Sequence, residues 1–230
     1  MKQEQLKAQA AAKAVTFVAD GMVLGLGTGS TTRYAVDMIG EKVKSGALKN
    51  IVGIPTSEAT ARQATAWGIP LGDLADYPRI DLAIDGADEV SPALDVTKGW
   101  GGALVREKLV EMHAERLVII VDSGKMVEKL GTRGPLPVEV TPFGWQVQVR
   151  WLAEKLGCRV ERRETDGEPF VTDNQNYILH CFFSGGIDDP HAVHRALAGR
   201  TGIVGHGLFL DMVTDVIVAA PSGIRHLRRA

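Results

Sequence analysis

The stretch Gly25-Leu-Gly-Thr-Gly-Ser-Thr-Thr32 decides how this chain is read. It follows the short apolar run Met22-Val-Leu-Gly-Leu26 and opens a helical pattern over about 31–44. A strand running through glycines into a helix brings backbone N–H groups, the helix dipole and the hydroxyls of Ser30, Thr31 and Thr32 to one point, which suits an anion. A dinucleotide fingerprint needs glycine where Ser30 stands and an acidic residue after the next strand, whereas Ile54 is followed by Pro-Thr-Ser. The Walker pattern fails as well, because no Lys-Ser/Thr follows the last glycine. A phosphate monoester or sugar hydroxyls are the better ligands. The plain alternative is a tight turn with capping hydroxyls.

Outward from this loop, helical and strand-like segments alternate. Residues 4–19 read as a helix, 51–54 as a strand, and 57–67 as a helix opening on Thr56 and Ser57, both good N-cap residues. Strand 80–84, helix 103–114 and strand 117–121 follow. Continuous apolar strands separated by helices predict a Rossmann-like, doubly wound, mostly parallel sheet covered on both faces. After Val121 the pattern changes. Gly131-Thr-Arg-Gly-Pro-Leu-Pro137 is the best linker candidate. Beyond it come strand 138–140, helix 145–156, strands 159–163, 170–172 and 177–183, and helix 190–198, the grammar of a small α+β, ferredoxin-like domain. The apolar run 215–219 resembles the first-half strands. The expected division is 1–130 plus 206–230 as the Rossmann-like domain, with 131–205 as a small α+β domain.

Composition narrows the function. Hydrophobic residues are 45% of 230 and charged ones 23%, the balance of an ordinary globular protein. The 26 basic and 28 acidic residues leave a net charge of −2, which recruits neither nucleic acid nor an anionic membrane. Cys158 and Cys181 are too few for a disulfide framework and lack zinc spacing. The N-terminus has no apolar signal region and no apolar run reaches membrane-spanning length, so the expected location is the cytoplasm. Glycine is the outlier, at 26 residues against a usual ~7%.

Three further glycine-bearing segments carry chemistry. Asp85-Gly86-Ala87-Asp88-Glu89 follows strand 80–84, at a strand's carboxyl end, where open α/β sheets bind ligands. Asp85 and Asp88 can accept hydrogen bonds from sugar hydroxyls; a metal is the weaker reading, since neighbouring segments offer no further ligands. An Asp-rich turn bonding its own backbone is the plain alternative. In Lys98-Gly-Trp-Gly-Gly-Ala-Leu-Val-Arg-Glu107-Lys108, a glycine loop runs into a helix whose apolar stripe is read as Leu104, Val105, Leu109 and Met112. Glu107 falls outside that stripe, either solvated or aimed into a cleft. Asp122-Ser-Gly-Lys125 ends the strongest strand, and Lys125 either holds a phosphate or is surface charge. The six histidines show no paired metal spacing; His191 and His194, three apart on one helix, read as surface, and His113, His180, His206 and His226 carry no assignment. Eight of the 26 glycines fall in these four segments, the pattern of backbone that approaches a small phosphorylated, polyhydroxylated ligand.

The four segments, with Pro-Leu-Pro-Val-Glu-Val (135–140) and Val-Thr-Asp-Asn (171–174), resemble the motifs of the ribose-5-phosphate isomerase A family in order and spacing. The resemblance spans essentially the whole chain. It implies a cofactor-free, metal-independent interconversion of D-ribose 5-phosphate and D-ribulose 5-phosphate in the pentose phosphate pathway, by a homodimer or homotetramer. It further implies 1–130 plus 206–230 as the catalytic domain and 131–205 as an α+β lid or oligomerisation domain. Glu107 matches the base that shuttles a proton between C1 and C2 through a cis-enediol(ate), work that suits a carboxylate able to take and return it. Lys98 matches the lysine that stabilises the developing oxyanion. Asp85 and Asp88 match the aspartates that hold sugar hydroxyls and assist ring opening. Thr28, Gly29, Ser30, Thr31 and Lys125 match substrate-binding positions, with Ser30, Thr31 and Lys125 for the phosphate. Gly86, Ala87, Gly99, Trp100 and Gly101 complete the implied lining, and Lys7 matches a lysine near the phosphate.

Two motifs depart from the family pattern. Trp100 and Gly102 interrupt the usual Lys-Gly-Gly-Gly-Ala-Ala, and Gln175 replaces the glycine that often follows Val-Thr-Asp-Asn. The first bears on the loop's conformation, the second on the shape of the second domain. A phosphosugar-sensing regulatory domain is the alternative reading, but no DNA-binding helix-turn-helix is evident. A related sugar-phosphate deaminase or a CoA-transferase-like activity is a further rival; the deaminase requires a catalytic histidine at the sheet end, and none is found there.

Overall fold

The computed structural model describes residues 2–229. In chain order it contains α1 (Gln3–Val15), β1 (Val23–Leu26), α2 (Thr32–Lys44), β2 (Val52–Pro55), α3 (Glu58–Trp67), β3 (Leu82–Asp85), β4 (Glu89–Val90), β5 (Val96–Thr97), α4 (Leu104–Glu111) and β6 (Leu117–Asp122). A 3-10 turn (Ser123–Lys125) leads on to β7 (Leu136–Val140), α5 (Trp145–Leu156), β8 (Arg159–Arg162), β9 (Glu164–Thr165), β10 (Glu168–Pro169), β11 (Tyr177–Phe182), α6 (Pro190–Ala198), β12 (Ile203–His206), β13 (Leu208–Phe209), β14 (Asp215–Ala220) and β15 (Gly223–Arg228). These elements form two compact units. The first comprises the chain up to Ala87, Arg106–Met126 and the chain from Asp211; the second comprises Asp88–Val105 and Val127–Leu210.

The first unit is built on a six-stranded sheet in the order β15-β14-β6-β3-β1-β2. All neighbours are parallel except the β14–β15 edge pair. Alternate strand residues face opposite ways. Leu24, Leu26, Leu82, Ile84, Val118 and Ile120 join a core with Leu6, Ala10 and Ala14 of α1, Val36 and Ile39 of α2 and Ala64 of α3. Ile54 packs instead with Ile80 and Val110 of α4. The sheet is thus covered on both faces, as the apolar strands predict. Helix α1 stops at Val15, short of the expected residue 19, because the Thr16 hydroxyl and N–H both turn back to the Lys13 carbonyl. Helix α3 opens as expected, with the Ser57 hydroxyl accepting from Thr60 N–H.

At the far end of β14, the Arg116 guanidinium donates to both carboxylate oxygens of Asp215 at 2.9 and 2.8 Å. His226 Nε2 and the Thr214 hydroxyl lie 2.6 and 2.8 Å from the same carboxylate. His226, unassigned from the sequence, therefore belongs to a structural ion cluster.

In the second unit, β7-α5-β8-β11-α6-β12 forms an antiparallel sheet in the order β12-β7-β11-β8, the ferredoxin-like arrangement. Leu152 of α5 and Leu197 of α6 pack on Leu136, Val138, Val140 and Leu179. Cys158 and Cys181 are free thiols buried in this core. His191 and His194 are exposed on α6, as read, and His194 Nδ1 also lies 2.9 Å from Nε2 of buried His206.

Two expectations about organisation need correction. Residues 88–105, 127–130 and 206–210 pack in the second unit, whereas the expected division placed them in the first. Short strands explain the first of these: β4 and β5 are two residues each and pair with β13 in a small sheet of that unit, too brief to register as periodicity. The Gly/Pro stretch 131–137 is not a linker either. Buried Glu89 accepts from the N–H groups of Gly131 and Arg133, and Pro137 lies inside β7.

The fold yields two expected outcomes. Burial opposes the charge on Asp215, but hydrogen bonds from Arg116, His226 and Thr214 outweigh it and hold the carboxyl well below the usual carboxylate range. A depressed carboxyl contributes stability above its unfolded pKa of ~3.9 and loses it as the pH falls toward the folded value. Asp215→Asn should therefore destabilise by about 2–3 kcal/mol at pH 7, with the gap to wild type narrowing below about pH 4, as measured by urea unfolding at several pH values. Gln175 is held at φ +63°, a left-handed conformation that costs a side-chain-bearing residue about 1 kcal/mol or more. Gln175→Gly should raise the thermal midpoint; an unchanged or lower midpoint would contradict the strain.

Candidate active site

Register at the centre of the first unit's sheet fixes the glycine loop. Gly25 pairs with Ala83 and Leu26 with Ile84, so Gly27 and Asp85 leave β1 and β3 side by side. Gly27 N–H donates to Ile84 O at 3.0 Å. A Cβ on Gly27 would lie 2.2 Å from Asp85 Cγ, so only glycine fits. Fully buried Asp85 occupies that space, and its Oδ1 accepts from Thr28 N–H at 3.0 Å, the Thr32 hydroxyl at 3.1 Å and Gly86 N–H at 2.6 Å. The strand order makes the β1/β3 boundary a topological switch point, where doubly wound sheets bind ligands.

The Thr28 hydroxyl continues the network to Thr56, Ser57 and Thr60, at 2.7, 2.8 and 3.0 Å. Thr60 in turn donates to Gly27 O at 3.0 Å. Sequence reading marked Thr56 and Ser57 only as caps. Their hydroxyls also join the loop after β1 to the start of α3, a signal visible in the Thr-Ser-x-x-Thr spacing. Gly29 and Ser30 are exposed and Thr31 half-buried, with no Thr31 side-chain cap on α2.

Glu107 overturns the stripe assigned to α4. Leu109 is 47% exposed and Met112, beyond the helix, 64%, whereas Glu107 and Glu111 are buried with Leu104 and Val110. The solvated reading of Glu107 is excluded by its 5% exposure. On the same helix, burial lowers the Lys108 pKa to about 8 against the attraction of Glu111. Asp122, at the end of β6, accepts from Gly124 N–H at 2.9 Å and from Gln3 of α1 at 3.3 Å, and half-buried Lys125 closes this 3-10 turn. Lys7 is ion-paired with Glu4 at 2.8 Å, and Glu4 also receives Arg33 and Tyr34 of α2.

The second unit positions Asp88 and the Lys98 loop. Asp88 N–H donates to Thr97 O at 2.8 Å, and Asp88 Oδ2 accepts from Trp100 N–H at 2.9 Å. Asp85 and Asp88, read together from the sequence, thus anchor two different loops. Lys98 is 2% exposed, its N–H donating to Gly207 O at 2.9 Å and its ammonium lying 5.5 Å from the Phe209 ring centre. Trp100, the departure from the family loop, is seated on Gly134, and its indole N–H donates to Pro135 O at 2.9 Å. Glu139, which the sequence reading passed over, is fully buried on β7. It accepts from Thr172 (3.0 Å), Asn174 (3.1 Å) and Asn176 (2.9 Å), pinning the Val-Thr-Asp-Asn turn. Among the described residues no three His, Cys, Asp or Glu side chains converge as a metal-binding group, and no helix is long and apolar enough to cross a membrane.

The first unit is thus a doubly wound α/β structure of the class that binds ligands at a sheet switch point. The profile of the ribose 5-phosphate isomerase A (phosphoriboisomerase A) family matches residues 52–223. The chain is 54% identical over 223 residues to ribose-5-phosphate isomerase A of Gloeobacter violaceus, covering 96% of this chain and 95% of that protein. It is 50% identical over 230 residues to probable ribose-5-phosphate isomerase 2 of Arabidopsis thaliana, covering 98% and 87%. Among solved structures, a D-ribose-5-phosphate isomerase in complex with phospho-erythronic acid superposes with a TM-score of 0.96 at 39% identity over all of both chains. The Plasmodium falciparum ribose 5-phosphate isomerase does so with 0.95 at 40%, covering 98% of each. The chain belongs to the ribose-5-phosphate isomerase A family.

Gly27→Ala should push Asp85 out of its place and loosen the loop. The expected result is a loss of about 1–3 kcal/mol in stability, the usual cost of overpacking, with a larger fall in turnover than the Tm change accounts for. Thermal unfolding and steady-state kinetics on one preparation measure both.

Proposed function

We infer that the protein is an aldose–ketose isomerase that interconverts D-ribose 5-phosphate and D-ribulose 5-phosphate. Membership of the family supports the reaction, and one observation carries the assignment of the base: Glu107 lies on the buried face of α4. In the aldose-to-ketose direction, Glu107 takes the proton from C2 of the open-chain sugar, leaving a cis-1,2-enediolate. It then returns that proton to C1, while the O2 hydroxyl proton passes to O1. Proton transfer by a placed carboxylate is worth about 10²–10⁴-fold.

Lys98 supplies positive charge for the enediolate oxygen. A buried ammonium acts more strongly on a developing oxyanion than a solvated one, because no water reorganises around it. Asp85 and Asp88 hold the sugar hydroxyls and assist ring opening. The Thr28–Thr31 segment and Lys125 take the phosphate, with Lys7 behind them once it exchanges Glu4 for the dianion. A related structure binds phospho-erythronic acid, whose carboxylate and phosphate ends resemble an enediolate phosphate in charge. The reading extends to a homodimer or homotetramer working in the cytoplasm, as a step of the pentose phosphate pathway.

A coupled assay of ribose 5-phosphate against ribulose 5-phosphate, with EDTA present, tests the reaction. Wild-type turnover is expected. Glu107→Gln should lower kcat by about 10²–10⁴-fold while substrate still protects the variant against thermal unfolding. Near-normal turnover in that variant removes Glu107 as the base; binding without turnover in the wild type points to a phosphosugar sensor.

A further inference from the structure

Glu4 drew no attention in the sequence, yet the first turn of α1 that carries it meets two of the segments read as phosphate-binding. Gln3 donates to Asp122, the carboxylate that also receives Gly124 N–H in the turn ending at Lys125. One residue on, Glu4 reaches the start of α2, directly after the glycine loop. Its Oε2 accepts from the Arg33 guanidinium at 2.8 Å and the Tyr34 phenol at 2.5 Å, and its Oε1 from the Lys7 ammonium at 2.8 Å. Arg33 also donates to the Tyr34 hydroxyl at 3.1 Å, its guanidinium carbon 4.8 Å from that ring's centre. The backbone here is tied to the loop, Arg33 N–H donating to Gly29 O at 3.1 Å and Tyr34 N–H to Thr31 O at 3.2 Å. Hydrogen bonds from Lys7 and then Tyr34 hold the Glu4 carboxyl down to about 2, so it is an anion whenever the enzyme works.

We propose that Glu4 is the resident counter-anion of Lys7, a positioning residue that sets phosphate affinity by occupying the ammonium until the substrate phosphate displaces it, and that Arg33 and Tyr34 retain the released carboxylate. The inference rests on the reading that Lys7 takes the phosphate, and deepens it by assigning what that cation does beforehand. The two Glu4 oxygens divide the work. Lys7 can leave Oε1 without disturbing either donor on Oε2. A carboxylate still paired with Arg33 repels an incoming dianion less than a free one. The exchange also runs in the substrate's favour. The Lys7 side chain is 12% exposed but that of Glu4 is 52% exposed, and a pair open to water on one side is worth at most about fivefold in an equilibrium. Charge-assisted bonds from lysine to a phosphate dianion are stronger. The substrate nevertheless gives up the value of the pair on binding, so Glu4 lowers affinity by that factor.

Four proteins test this: wild type, Glu4→Gln, Lys7→Met and the double variant. Glutamine keeps the size of Glu4 and an acceptor for Arg33 and Tyr34 while removing the charge. Each protein is assayed for kcat and KM with ribose 5-phosphate, and for the Ki of inorganic phosphate as the anion alone. Lys7→Met should raise KM and Ki by about tenfold or more, the scale of one hydrogen bond to a charged group. Glu4→Gln should lower both by about twofold to fivefold, because phosphate no longer displaces a resident anion, and the gain should lie in KM and Ki rather than in kcat. In the Lys7→Met background the same change should leave both constants where they were, since no ammonium remains to be contested. KM and Ki that stay level or rise in Glu4→Gln overturn the inference. So does an equal fall in both backgrounds, which is what the loss of any nearby negative charge would give. Wild-type KM and Ki in Lys7→Met instead sink the phosphate role of Lys7 itself, and the two failures are read from different variants.

Discussion

The carboxylate of Asp85 is the constraint on which the centre of the molecule turns. It is fully buried, and an isolated charge there is prohibitively expensive in a low-dielectric interior. It is tolerated because Thr28 N–H, the Thr32 hydroxyl and Gly86 N–H converge on a single oxygen. Those donors come from the loops after β1 and β3 and from the first residue of α2, so satisfying one charge sets the geometry of all three. The absence of a side chain at Gly27 follows from the same demand for space. Only Oδ1 is spent on these three donors, so Asp85 anchors the loop after β1 through one oxygen.

The same device recurs. Glu89 holds the N–H groups of Gly131 and Arg133; Asp122 holds Gly124 N–H and Gln3; Glu139 holds Thr172, Asn174 and Asn176. All are under a tenth exposed. Gly- and Pro-rich turns leave backbone donors that no ladder satisfies, and a buried carboxylate collects several at once in charge-assisted bonds. That explains why a chain with so many glycines still has defined loops. It also assigns a physical task to Pro-Leu-Pro-Val-Glu-Val and Val-Thr-Asp-Asn, two motifs to which the proposed reaction gives no role. Glu139 and the turn it pins are one structural object split between them.

Legibility in the sequence followed the length scale of the signal. Helices 145–156 and 190–198 and the strands around 117–121 and 177–183 stand where their periodicity and caps put them, because each repeats its pattern over several residues. The strand expected at 170–172 is only an isolated bridge at Val171, and β12 and β15 were not read. The two-residue strands β4, β5 and β13 carry no period, and missing them placed 88–105 in the wrong unit. Asp85, Asp88, Lys98 and Glu107 were legible as candidates from glycine-bearing motifs. Glu4 and Glu139 were not, since each works through partners from other segments: Arg33 and Tyr34 for one, 172–176 for the other. A lone Glu looks like solvated charge until its neighbours from other elements are known.

The helix whose buried face was read wrongly is also the most informative. A hydrophobic period centred on Leu109 and Met112 is what α4 would use to optimise burial alone. The chain instead buries Glu107 and Glu111 and leaves Leu109 and Met112 in solvent, a choice that lowers stability on both counts. Packing supplies no reason for it, since Leu104 and Val110 already fill the apolar positions of the inner face. Departures of this kind, where local rules are broken at a cost, concentrate where function fixes a residue. The proton transfer proposed for Glu107 calls for a water-poor place on a rigid element, and a helix that turns its acids inward and its apolar side chains outward provides that place.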